Sequence, residues 1–99
     1  MNMQQLVAQA QKMQRELQKA QDAIRAKEFK VSKGGAVTVI VMGSKELKSV
    51  DIDKDALSEE NKEMIEEMIV MAVNEACEKI DEEMNAASEA ITGRSGGMF

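Results

Sequence analysis

The sequence predicts an α+β domain in the order αβββα: a long N-terminal helix, a three-stranded antiparallel sheet and a long C-terminal helix. Three observations carry this. An apolar heptad seam runs through the first 24 residues, period-two apolar patterning takes over in residues 36–52, and residues 59–91 contain neither Pro nor Gly.

The seam consists of Met3, Leu6, Ala10, Met13, Leu17, Ala20 and Ile24, separated by alternating steps of 3 and 4 residues. Gln, Ala and charged residues of good helix propensity fill the remaining positions, so a helix is expected throughout. A stripe this narrow, repeating every 3.5 residues, suits packing against one other helix rather than burial all round. At Lys27 the next seam residue is missing. Phe29 and Val31 alternate with Lys30 as a short first strand, and Lys33-Gly34-Gly35 turns the chain. In the next strand Val37, Val39 and Val41 point to one face and Ala36, Thr38, Ile40 and Met42 to the other, so both faces carry apolar groups. Gly43 and Ser44 supply turn chemistry, and Leu47 to Ile52 forms the returning strand, with Lys48, Val50 and Ile52 on one side and Leu47, Ser49 and Asp51 on the other.

Ser58 is the expected N-cap of the second helix, and Glu59, Glu60 and Glu63 suit its positive end. The first half of this helix is broadly apolar from Met64 to Cys77, whereas the second half narrows to Ile80, Met84, Ala87 and Ile91. The wide part is expected to cover the sheet and the narrow part to pair with something slender. At 1.5 Å per residue the two helices extend about 35 and 50 Å, against about 23 Å for a seven-residue strand. Both therefore overhang the sheet, and their thin stripes are expected to meet as an antiparallel arm. The domain spans residues 1–92, followed by a flexible glycine-rich tail over residues 93–99.

A chain of 99 residues and 10.9 kDa builds only a modest core. One protomer supplies helices for one face of the two-faced strand, which leaves the other for a partner copy. Val37, Val39, Ile40, Val41, Met42, Met68 and Met71 are the residues expected at that homodimer interface, with the methionines as pliable packing. With only two aromatics, Phe29 and Phe99, base-stacking platforms for single strands are excluded. Lone Cys77 forms no internal disulfide, no signal peptide precedes the first helix, and no apolar run reaches membrane-span length, so a cytoplasmic protein without a membrane partner is expected. The net charge of −5 is uneven: residues 1–28 carry +2, residues 29–53 carry +1 and residues 54–91 carry −9. Acidity is concentrated in the second helix.

The order of elements, the opening Met3-Gln4-Gln5-Leu6 with Gln9-Ala10-Gln11-Lys12-Met13-Gln14, the Gly34-Gly35 turn, Lys48-Ser49-Val50-Asp51-Ile52-Asp53, and the run from Glu67 to Ala76 together resemble the YbaB/EbfC family of bacterial nucleoid-associated proteins, over essentially the whole chain. The chain departs from the family pattern in its single-glycine second turn and its short tail without proline. The resemblance implies a tweezer-like homodimer in the nucleoid whose helical arms bind double-stranded DNA, with a role in chromosome organisation or gene regulation. A replication or recombination protein is a further candidate partner.

Lys12, Arg15 and Lys19 fall opposite the apolar seam, and Arg25 continues the stripe beyond Asp22. With Lys27 these are the candidate DNA-binding residues, able to track phosphates or to serve only as a solvated face. Asp51, Asp53 and Asp55 match the start of an EF-hand loop, but Ala56 stands at its sixth position and Lys62 at its twelfth, so no metal site is expected. Cys77 has no His to activate it, and no set of nucleophile, base and orienting group is present. The expectation is a protein that is not an enzyme and needs no cofactor. Its leading function is duplex-DNA binding of low sequence specificity, and the alternative is an acidic dimeric protein-interaction module without direct DNA binding.

Overall fold

The computed structural model describes residues 2–96 of the chain. Helix α1 spans Met3–Arg25 and begins at a reciprocal cap: Asn2 Oδ1 accepts from the Gln5 N–H at 2.8 Å, and Gln5 Oε1 accepts from the Asn2 N–H at 3.3 Å. This capping box satisfies two amide groups that the first turn leaves without helical partners. Strands β1 (Glu28–Lys33), β2 (Val37–Met42) and β3 (Leu47–Ile52) form one antiparallel sheet in that order. Gly34 and Gly35 both have positive φ, 57° and 67°, which a residue without Cβ adopts freely, and they close the first hairpin as a plain turn.

The second hairpin departs from simple alternation. Ile40 faces Ser49 but Val41 faces Leu47, so Lys48 is an extra residue and forms a bulge. The bulge moves Leu47 onto the side of Val50 and Ile52, correcting the strict alternation expected for β3. Two short 3-10 turns, Lys54–Ala56 and Glu59–Asn61, precede helix α2, Lys62–Gly96. Ser58 stands before the second 3-10 turn with no side-chain cap bond, so it is not the N-cap of α2. Asn61 holds this entry instead, its Nδ2 donating to the Ala56 carbonyl at 2.9 Å. Helix α2 continues beyond residue 91, where its end was expected, to Gly96; residues 97–99 of the expected tail lie outside the described residues.

The core lies between one face of the sheet and α2. Val37, Val39 and Val41 are fully buried with Phe29 and Val31 beside them, and Ile65, Ala72, Ala76 and Ile80 cover them from α2. Burying each valine contributes on the order of 2 kcal/mol. The wide apolar half of α2 thus meets the sheet, and beyond it Ile91 is buried where the narrow half runs beside α1. The molecule is accordingly elongated, 69 × 21 × 14 Å.

The second hairpin also anchors the arm. The Gly43 N–H donates to the Lys27 carbonyl at 2.9 Å and the Ser44 N–H to the Arg25 carbonyl at 3.2 Å. The approach is close enough that a Cβ on Gly43 would stand 1.8 Å from the Ile24 carbonyl oxygen. Lys45, with φ 72°, completes the turn and reaches Asp81 of α2 at 2.7 Å. At the other end of the sheet Lys33 Nζ donates to Glu75 Oε1 at 2.9 Å, tying the end of β1 to α2.

That hydrogen bond, reinforced by the Lys33 charge, holds the Glu75 carboxyl below the ordinary carboxylate range despite partial burial. A lowered folded-state pKa stabilises the fold above the unfolded value, and the contribution is lost as pH falls through the folded one. Glu75→Gln is expected to flatten the decline of melting temperature on acidification below the ordinary carboxylate range, read by circular dichroism across a pH series. Gly43→Ala has only main-chain atoms to push against and is expected to cost at least about 3 kcal/mol in urea unfolding. A Cβ on Gly93 of α2 meets nothing within 4 Å, so Gly93→Ala should be neutral or stabilise by up to about 1 kcal/mol.

Candidate nucleic-acid interface

A surface that holds a polyanion needs cations whose charge is not already spent within the protein. The first helix is the place to look, because it is the one long element without an acidic surplus. Lys12, Arg15 and Lys19 stand at steps of 3 and 4, so they project from one face of α1. The opposite face is the one that packs: Met13, Leu17 and Ala20 are half-buried and Ile24 is buried, whereas the three cations are all exposed.

Their surroundings differ from those of most other cations in the chain. Arg25 pairs with Asp22 at 3.0 Å, Lys27 with Glu83 at 2.8 Å, Lys33 with Glu75, Lys45 with Asp81, Lys48 with Glu28, and Lys62 with Glu66 at 3.3 Å. Among the described residues, Lys12, Arg15 and Lys19 enter no ion pair, and neither do Lys30, Lys54 and Lys79. The five candidate residues therefore divide. Lys12, Arg15 and Lys19 form a continuous free stripe about 10 Å long. Arg25 shares Asp22 Oδ1 with Gln18, which donates at 2.9 Å. Lys27 donates to both carboxylate oxygens of Glu83 and lies 5.1 Å from the centre of the Phe29 ring. Arg25 is thus spent within α1 itself, and Lys27 ties the chain just beyond α1 to α2. The Arg94 side chain lies outside the described ones.

The expected interface residues are likewise sorted by the fold. Val37, Val39 and Val41 are closed off by α2 of their own chain and present nothing to a partner. Their inclusion is corrected by this: a 35-residue helix laid on the sheet takes the whole valine face. Ile40 and Met42 point to the opposite, open face and are half-buried there. They are framed by the Lys48–Glu28 pair and by a 2.9 Å hydrogen bond between the Ser32 and Thr38 hydroxyls. Met68 packs against the core, its methyl reaching over Gly34, while Met71 is exposed on α2. Met71 and the open face thus lie on opposite sides of the sheet.

An apolar margin was missed in the sequence. Leu47 and Val50 of β3 are exposed on the α2 side, and Leu57 before α2 and Val70 on it are exposed as well. Helix α2 lies over β1 and β2, leaving β3 uncovered, and the bulge at Lys48 brings Leu47 to this side. No local pattern signals it, since Leu47 and Val50 are separated by Lys48 and Ser49 in a largely polar strand. Cys77 is half-buried in α2 as a free thiol. No group of three or more His, Cys, Asp or Glu among the described residues is placed to hold a metal ion, and no described helix is long and apolar enough to cross a membrane.

Comparison with known proteins agrees with this architecture. Nucleoid-associated proteins of Ruminiclostridium cellulolyticum and Acetivibrio thermocellus are each 41% identical over 98 residues, spanning 98% of this chain and 85% and 87% of theirs. A crystal structure of an uncharacterised Helicobacter pylori protein superposes with a TM-score of 0.76 at 24% identity, covering 93% of this chain and 98% of that one, and shares the fold. The family model described as the YbaB/EbfC DNA-binding family matches residues 1–95, so the chain belongs to that family.

Proposed function

We propose that this protein is a nucleoid-associated homodimer that binds duplex DNA with low sequence specificity through the outward face of α1, in the cytoplasm, organising the chromosome or regulating expression. The observation that carries the reading is the uncompensated stripe of Lys12, Arg15 and Lys19 on a helix whose other face packs. Family membership supports DNA as the polyanion.

A net charge of −5 does not oppose this at physiological salt. The acids lie on α2, and a helix is about 10–12 Å across, beyond a Debye length of about 8 Å. Phosphates meeting α1 therefore feel the local cations more than the distant carboxylates. Duplex DNA carries one charge per roughly 1.7 Å of its axis, so a 10 Å stripe faces several phosphates at any sequence. Exposed Lys and Arg without a base-reading element position a protein on the backbone rather than specify a site. Arg25 and Lys27 contribute less in this reading, because each must first leave a carboxylate.

The exposed acids of α2 and of the 3-10 turn before it, among them Glu59, Glu60, Glu63, Glu66 and Glu67, favour a second reading. They suit a basic protein partner, in which case the arm does not touch DNA.

Dimerisation rests on the open face of the sheet, where Ile40 and Met42 stand among polar neighbours and no described element of the chain covers them. Ile40→Asp or Met42→Asp is expected to halve the mass in light scattering while keeping the circular dichroism of the parent. Val39→Asp should unfold the chain by burying an unpaired charge. A concentration-independent monomer mass for the unmodified protein would overturn the dimer.

For DNA, the combined change of Lys12, Arg15 and Lys19 to Glu should abolish the gel shift on duplex DNA and leave fold and mass unchanged. Single Lys12→Ala or Arg15→Ala is expected to flatten the slope of log affinity against log salt by about one unit, or about two if both arms engage. Arg25→Ala and Lys27→Ala should change it less. Parental affinity in the triple variant at low salt would falsify the stripe and favour the acidic module.

A further inference from the structure

Helix α1 holds seven glutamines, none of which attracts phosphate by charge. They are not equivalent. Gln5 closes the capping box and Gln18 donates to Asp22, whereas the side-chain amides of Gln4 and Gln11 have no hydrogen-bond partner among the described residues. At about 100° per residue, Gln4, Ala8, Gln11, Arg15 and Lys19 fall within one arc of about 80°, opposite the seam. Gln4 and Gln11 thus prolong the cationic stripe toward the start of the helix as its uncharged part. This face also carries a shallow hollow bounded, among the described residues, by Met3, Gln4, Val7, Ala8 and Gln11. Its wall is apolar at Met3, Val7 and Ala8, and the two glutamines add amides to it.

Two properties of the tip decide what it can enter. Every residue from Asn2 to Lys12 is exposed, so the helix stands bare over about three turns. A bare helix is about 10–12 Å across, which the major groove of duplex DNA, about 12 Å wide, admits and the minor groove, about 6 Å wide, does not. No side chain from Asn2 to Gln11 is charged, so no carboxylate repels the two strands beside it. The chemistry of the face then selects a base pair. A glutamine amide donates and accepts at once, which matches the N7 acceptor and N6 donor of adenine, and the thymine methyl of the same pair takes an apolar contact. Guanine offers two acceptors at that edge, which suit Arg or Lys instead.

We infer that the tip of α1 enters the major groove and that Gln4 and Gln11 favour A·T pairs there, with the thymine methyl seated against Val7 and Ala8. This preference rests on the DNA reading above, and it adds a bias among sequences to a binding that the cations alone leave indifferent. Gln4 and Gln11 lie about 10 Å apart along the helix, roughly three base-pair steps. So short a stretch does not define a site, and specificity remains low. Lys12 and Arg15, on the same side of the helix, meet the phosphates bordering the groove.

The test is a set of gel shifts by the full chain on duplexes of one length and mixed base order. The parent is expected to bind an A·T-rich duplex about fivefold more tightly than a G·C-rich one at equal salt. Two modified duplexes read the groove: 7-deazaadenine removes the N7 acceptor, uracil in place of thymine removes the methyl, and each should cut the preference by about half. Gln4→Ala/Gln11→Ala should abolish the preference while leaving helicity and the slope of log affinity against log salt unchanged, because both residues are exposed and uncharged. Lys12→Ala, in contrast, should flatten the slope and keep the preference. A parent that shifts no duplex overturns the DNA reading and the preference with it. A parent that binds A·T-rich and G·C-rich duplexes alike, or a preference that survives the double glutamine substitution or both modified bases, overturns the preference alone.

Discussion

The contact on which the rest of the molecule depends is the one between Val37, Val39 and Val41 of β2 and the Ala72, Ala76 and Ile80 stripe of α2. Alanine at the two closest positions lets the helix backbone approach the sheet, and neither alanine retains any exposure. Without that approach α2 would ride higher, and neither the Lys33–Glu75 pair nor the Lys45–Asp81 pair would close at its two ends. The seat of α2 also directs its second half, whose narrow stripe meets α1. Sheet, helix and arm are one chain of contacts, and the free cations lie at its far end.

Much of the fold was legible because it follows from periodicity. The seam from Met3 to Ile24 and the alternation from Val37 to Met42 allow few other structures, and the run without Pro or Gly after Ser58 permits one long helix. Features that depend on a single residue were not legible. The extra residue at Lys48 leaves the local composition of β3 unchanged while moving Leu47 to the other face. Ser58 has the chemistry of an N-cap, but the chain enters α2 through a 3-10 turn held by Asn61, and a local signal does not reveal such a detour. The Asn2 and Gln5 box did have a visible signal in its spacing, since the side chain at N3 can reach back to the cap.

Placement of the candidate site was legible, and its internal ranking was not. Heptad geometry puts Lys12, Arg15 and Lys19 opposite the seam, and they are found there. Nothing local distinguishes Lys27 from them, because its partner Glu83 is 56 residues away along the chain. Which cations are spent inside the protein is a tertiary fact. The same holds for the valines: two apolar faces on β2 indicate two covers, but only the path of α2 decides which face its own chain takes.

The joint at Gly43 and Ser44 has a consequence for how this architecture varies. The end of α1 is tied to the sheet by two main-chain hydrogen bonds, from these residues to the carbonyls of Lys27 and Arg25, and the rest of the helix is seated on α2 through its inward seam, so its outward side chains take no part in setting its direction. Outward residues of the helix are therefore free to drift, or to be exchanged wholesale, without altering the angle at which they are displayed. The sheet with its glycine joint acts as a mount, and the helix surface is the replaceable attachment. Other stripes grafted onto α1, acidic, aromatic or metal-binding, would be held at the same pitch to the sheet.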